Sequence, residues 1–260
     1  MPDNPFAFTP QQAAAFILIL MRTAGLFLTS PLFASQNIPG LLKAAWALLT
    51  AMLLFAVATI PPDVPVGGAA FGMAVAKEML VGFLIGTVAM LMFAGIQLAG
   101  QVIDIQMGLG MVNIIDPLTS TQVSVMGQYF YLVATLVFLA VDGHHLLLRA
   151  LSDSFELVPL GTAHLSAPVA VLINSKASAM FLVSFRVGAP VIGALFLTNL
   201  ALGILARTVP QMNVFIVGMP LNVAVGLLVS AISMGFYAYV LQGIFGGLHR
   251  DLAVLLHALR

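Results

Sequence analysis

Six stretches of this chain run for about 20 residues or more with few or no charged side chains, and that length is what a helix needs to cross about 30 Å of hydrocarbon. They are approximately 13–34, 41–60, 69–103, 122–141, 169–206 and 212–247. Within lipid every backbone amide must be satisfied inside its own helix or around a closed barrel. None of the stretches alternates with the period of two that barrel strands show. The expected fold is therefore all-α: a polytopic membrane protein with about six long hydrophobic segments, several kinked or forming hairpins.

Composition closes off other classes. Of the 260 residues 61% are hydrophobic and 7% charged, where a soluble domain carries roughly a quarter charged. Nine basic residues balance nine acidic ones, which leaves no basic surface to neutralise phosphates along nucleic acid. Cysteine is absent, so disulfides and thiolate metal sites are excluded. The leading "MPDNPFAFTPQQ" has Asp3 and no Lys or Arg. It lacks the positive start of a secretory signal, so the first apolar segment is expected to be retained, with the N-terminus outside the cytoplasm.

Proline and glycine punctuate the segments, as in "SPLFASQNIPG", "TIPPDVPVGG" and "LVPLGTAHLSAP". Segments 69–103, 169–206 and 212–247 exceed one straight crossing, and Pro190 and Pro220 fall inside the last two; kinks or breaks are expected at both prolines. Gly82 and Gly86, four apart in "GFLIG", would let a neighbouring helix approach closely. Between the fourth and fifth segments, "VDGHHLLLRALSDSFELVPLG" sets Asp142, His145, Arg149, Asp153 and Glu156 along one helical face. Leu146, Leu147, Ala150, Leu151 and Phe155 lie largely opposite, as in an amphipathic helix.

Charges inside apolar segments need partners, because each costs roughly 2.5–3.5 kcal/mol at a helix centre. The candidates for intramembrane charge pairing or subunit contact are Arg22, Lys77, Glu78, Asp104, Arg186 and Arg207, with Lys176 nearby. Only two of these are acids, too few for the carboxylate chains of proton-coupled carriers. His144 and His145 are adjacent, point about 100° apart on a helix, and have no second ligand cluster in sequence. No metal is expected. Nucleophile elbows, phosphate loops, dinucleotide fingerprints and paired catalytic carboxylates are all missing, so neither an enzyme nor a cofactor site is expected.

One stretch does not belong in oil. "MGLGMVNIIDPLTS", Met107–Ser120, puts Gly108 and Gly110 ahead of Asp116-Pro117, and these residues break a helix through backbone freedom, a lost amide donor and a restricted pre-proline residue. Between them Met111, Val112, Ile114 and Ile115 are apolar, with Asn113 among them. Irregular backbone at membrane depth is tolerated where protein buries it or where it lines a cavity. The stretch is thus either a simple turn between spans or a constriction whose side chains exclude water.

The stretch "GQVIDIQMGLGMVNIIDP" resembles the signature region of the FliR family of flagellar and type III secretion export-gate proteins. "RTAGLFLTSPLFASQNIP", "DGHHLLLRALSDSFELVPLG" and "LTNLALGILARTVPQMNVFIVGMPLNVAVGL" resemble the same family in the same order, and together they cover most of 15–245. The resemblance implies a subunit of the bacterial inner membrane at the flagellar basal body, built into a helical export-gate assembly. It implies FliP-like and FliQ-like partner subunits, FlhB-like and FlhA-like neighbours, surrounding lipid, and unfolded export substrates. It further implies a FliP-like part over 1–165, with the midchain plug loop and the amphipathic helix, and a FliQ-like hairpin part over 166–260, in one integrated membrane domain. The family's plug and gating loop maps onto Gly110, Met111, Val112, Asn113, Ile114, Ile115, Asp116 and Pro117, with Gly108 at its base.

Three functions follow as expectations. The first is a non-enzymatic gate subunit that helps form and plug a channel for unfolded flagellar subunits. The second is a small-solute secondary transporter, motivated by the prolines within long helices. The third is a membrane scaffold without pore contact.

Overall fold

The computed structural model describes residues 9–35, 38–58, 60–62, 64–109, 124–164, 166–211 and 213–260. Among the described residues all regular structure is helical: α1 (Pro10–Thr29), α2 (Gly40–Phe55), α3 (Gly68–Met107), α4 (Val125–Ala140), α5 (Gly143–Leu157), α6 (Ala167–Thr208), α7 (Val214–Ile232), α8 (Met234–Gly246) and α9 (Leu248–Leu259). By length and composition α1, α3 and α6 can each cross a membrane, and two bent helix pairs raise the number to five if each counts as one span. The segment expected at 41–60 is shorter than a span. Its helix, α2, has 16 residues, about 24 Å, and ends before Pro61-Pro62, which cannot continue it.

Neither proline breaks its helix. Pro190 lies inside α6 and Pro220 inside α7, and both helices run on through them. Each proline removes one amide donor, and the rest of each helix stays helical on both sides of it. The last long segment breaks instead at Ser233, between α7 and α8.

The chain divides into two compact units, one made of Met1–Leu91, Asp142–Lys176 and Gly247–Arg260, the other of Met92–Val141 and Ala177–Gly246. The first is organised around α1. Thr9 caps this helix in a capping box with Gln12, and Pro10 occupies the first turn, where its missing amide costs nothing. The buried stripe Ala14, Ala15, Leu18, Ile19, Arg22, Thr23 and Leu26 recurs at helical spacing. Backbone meets backbone against α3: a Cβ on Gly82 would collide with the Arg22 carbonyl, and one on Gly25 would lie 2.8 Å from the Phe83 nitrogen. Helix α5 buries Leu147, Ala150, Leu151 and Phe155, the face its pattern marked as apolar. Two more ties close this unit: the His164 amide donates to the Leu259 carbonyl (3.1 Å), and Lys176 Nζ meets Asp251 Oδ1 at 2.5 Å.

The second unit is held by aromatic rings. Phe93 packs against Phe138 and Phe245 with centroids 5.5 and 5.4 Å away, and Phe130 meets Tyr237 edge-on at 4.9 Å. The Phe93–Phe138 and Phe130–Tyr237 pairs are edge-to-face, which sets the edge of one ring against the face of another. Gly100 and Gly127 bring the backbones of α3 and α4 together, leaving no room for a Cβ on Gly100.

Candidate functional site

The end of α3 and the start of α4 are joined by side chains. Asp104, 5% exposed, accepts a hydrogen bond from the Ser124 hydroxyl at 2.5 Å, and both its carboxylate oxygens lie 3.2 Å from the Met126 amide. Ser124 is the N-cap of α4 and also accepts from the Gly127 amide at 2.8 Å. A carboxylate beside exposed first-turn amides is favoured both as an acceptor and by the helix dipole. Asp104 therefore caps a helix that is not its own, and the cap ties residue 104 to residue 124 at the base of the intervening segment.

At the near end of that segment Gly108 has φ +84° and donates its amide to the Ile105 carbonyl at 3.1 Å. This is the left-handed residue that terminates many helices and suits glycine. The remaining plug positions, Gly110, Met111, Val112, Asn113, Ile114, Ile115, Asp116 and Pro117, lie outside the described residues. Around the α3 terminus, Asn222 donates to Asn199 Oδ1 at 2.8 Å and to the Gln106 carbonyl at 3.5 Å. This neutral polar bridge ties α6 and α7 to the helix that leads into the segment.

The structure brings two of the charged candidates directly together. Arg22 Nε donates to Glu78 Oε2 at 2.5 Å, and both side chains are fully buried. Arg22 Nη1 also donates to the Ser154 carbonyl (2.8 Å) and hydroxyl (3.0 Å), and Nη2 to the Val158 carbonyl (3.0 Å). Its guanidinium carbon sits 4.4 Å from the Phe155 ring centroid. Glu78 Oε1 accepts from the Gly161 amide at 2.7 Å, where φ is +81°. The ion pair thus ties α1, α3, α5 and the turn after α5. Buried pairs are tolerated when their remaining donors and acceptors are satisfied in this way.

The other candidates are not paired with one another. Lys77 is half-buried and Arg186 exposed. Arg207 lies in the last turn of α6, where a cation complements the dipole. The donor atoms of Asp142, His144 and His145 gather within 4.8 Å of one another. Asp142 takes a left-handed φ of 56°, and its Oδ1 lies 3.3 Å from His145 Nδ1, both side chains being largely exposed. The two imidazoles stack with centroids 4.1 Å apart and 36° between planes. His144 Nδ1 is buried without a hydrogen-bond partner among the described residues. The Asp142–His145 contact thus lies at the exposed start of α5.

Residues 13–248 match the family described as Bacterial export proteins, family 1. The chain belongs to the FliR family of bacterial export proteins. It is 38% identical to the flagellar biosynthetic protein FliR of Bacillus subtilis (strain 168) over 234 residues, which cover 89% of this chain and 90% of that protein. It is 30% identical to the FliR of Escherichia coli (strain K12) over 92% of each chain, and 30% identical to that of Aquifex aeolicus (strain VF5) over 84% of each.

Sequence reasoning singled out Arg22, Glu78 and Asp104 in this FliR-family chain but missed the neutral groups that complete their surroundings: Ser124, Ser154, Gly161 and the carbonyl of Val158. For Ser124 a local signal exists, a serine immediately before an apolar run. For Ser154 and Val158, 132 and 136 residues from Arg22, none does.

Proposed function

We propose that this FliR-family chain is a non-enzymatic subunit of the flagellar type III protein export gate, in which the segment between α3 and α4 plugs the conduit for unfolded flagellar subunits. The observation carrying this reading is the match over nearly the whole chain to proteins named for flagellar biosynthesis. The capped base of the segment supports the plug role, because Asp104 holds Ser124 and Met126 in place whatever the intervening apolar residues do. The chain's companions are FliP-like and FliQ-like subunits, with FlhB-like and FlhA-like neighbours, in the bacterial inner membrane at the flagellar basal body. A FliP-like part covers 1–165 and a FliQ-like part 166–260.

A photo-crosslinker at Asn113 should capture an export substrate stalled in transit, and deletion of Met111 to Ile115 should let the assembled gate conduct ions. A crosslinker that never meets substrate, together with an unchanged conductance, would refute the plug. The solute-transporter reading has lost its motive, since α6 and α7 continue through Pro190 and Pro220. It would return if the chain alone moved a solute in liposomes.

A further inference from the structure

The histidine pair in "DGHHLLL" has no part in the plug or in the buried ion pair. On an ideal helix adjacent residues diverge by about 100°, but His144 and His145 stand in the first turn of α5 with their ring centroids only 4.1 Å apart. Asp142 completes the group. As the N-cap of α5 it would ordinarily turn its carboxylate back onto the first amides of the helix, yet its side chain makes no such bond. It takes a left-handed φ of 56°, and its Oδ1 lies 3.3 Å from His145 Nδ1.

One carboxylate oxygen and one nitrogen from each imidazole thus lie within 4.8 Å of one another. Ligand atoms held about 2.0–2.1 Å from a tetrahedral ion are about 3.3 Å apart. The Asp142–His145 pair already has that spacing, which is beyond the usual range of about 2.7–3.2 Å for an N–H···O hydrogen bond. A turn of the His144 ring about its side-chain torsions brings in the third donor. His144 Nδ1 is shielded and has no hydrogen-bond partner among the described residues, so that nitrogen gives up no hydrogen bond when the ring turns.

The donor set selects the kind of ion. Neutral imidazole suits zinc, copper, nickel and their neighbours in the first transition row, whereas magnesium and calcium take oxygen. One carboxylate with two imidazoles leaves a position of a tetrahedral ion to water. The positive end of α5 opposes a cation, and the charge of Asp142 offsets it, so the affinity should be moderate.

We propose that Asp142, His144 and His145 bind one divalent transition-metal ion of the zinc type, which clamps the first turn of α5. All three ligands belong to one compact unit. The site therefore needs no residue from a companion subunit and does not depend on what the assembly transports.

The test uses the full-length chain in the assembly in which it purifies, carrying no histidine tag, stripped with a chelator and titrated with zinc chloride while bound metal and unfolding temperature are read. The unsubstituted protein should bind one more zinc per copy of this chain than H145A does. D142N, H144A and H145A should each weaken binding at this site by at least about tenfold, since losing even an outer partner of a metal ligand costs about 10–100-fold. Zinc should raise the unfolding temperature of the unsubstituted protein and not that of H145A, whose metal-free stability should be unchanged because the His145 side chain is 69% exposed. H249Q, which removes an exposed histidine of α9, should bind like the unsubstituted protein. Equal zinc in the unsubstituted protein and H145A would overturn the proposal. So would magnesium or calcium displacing zinc at equal concentration, which would reduce the site to a bare carboxylate. So would H249Q falling as far as H145A, which would make the binding adventitious uptake by surface histidines.

Discussion

Arg22 and Arg186 are the same side chain placed in two apolar helices, and the protein treats them in opposite ways. Arg22 is sealed in, and each of its three nitrogens donates inside its own unit, one of them to a carboxylate. Arg186 opens onto a groove that no acid among the described residues lines. A charge enclosed on every side must find a complete set of partners within the chain or the chain does not fold. A charge at an open groove can leave its partner to the surroundings, so it contributes little to stability and more to what the protein binds.

The comparison can be broken by measurement, most severely at Glu78. E78Q leaves a buried cation without its counter-charge and should destabilise the detergent-solubilised protein by about 3–5 kcal/mol, read as a fall in unfolding temperature. R186Q should stay within about 0.5 kcal/mol, as for exposed positions generally. Equal losses would erase the distinction between the two arginines.

The next effect is at Gly82. A valine there must push α1 and α3 apart at the helix–helix seam that positions Arg22, at a cost of about 1–3 kcal/mol, and should loosen both helices to hydrogen exchange. D104A removes the foreign cap from α4 and should cost about 1–2 kcal/mol. Its signature should be local, with faster protease cleavage between residues 105 and 124 and little change elsewhere; protection unchanged in that region would show that the cap is not what holds the base. Smallest is G108A, where a Cβ at positive φ costs about 1 kcal/mol and should shift the same cleavage pattern only slightly.

Much of the fold could be read from local pattern. The uncharged runs gave the long helices, the face of Leu147, Leu151 and Phe155 gave the buried side of α5, and Gly82 with Gly86 marked a close helix seam. Proline was a weaker signal of a break than it looked, because a single lost amide does not end a helix; α6 and α7 continue through Pro190 and Pro220, and the chain turns instead at Ser233, which carries no strong local signal. The charged residues stood out by their cost in oil. Their partners did not, since Arg22 and Glu78 are 56 residues apart and Arg22 and Val158 are 136 apart, distances that only tertiary structure closes. The glycines, Asn113 and Asp116-Pro117 made the segment after α3 conspicuous, while its capped base depends on Asp104 and Ser124 meeting across 20 positions.

Helix α6, at 42 residues, measures about 63 Å, twice what a bilayer can cover. Whichever half lies in oil, the other half carries bare apolar side chains: Phe181 and Phe185 toward the beginning, Phe196 and Leu200 toward the end. A newly made copy left by itself would present that surplus to water and invite aggregation or proteolysis. Cells should accordingly hold few solitary copies, and the abundance of this polypeptide should track that of whatever shelters it.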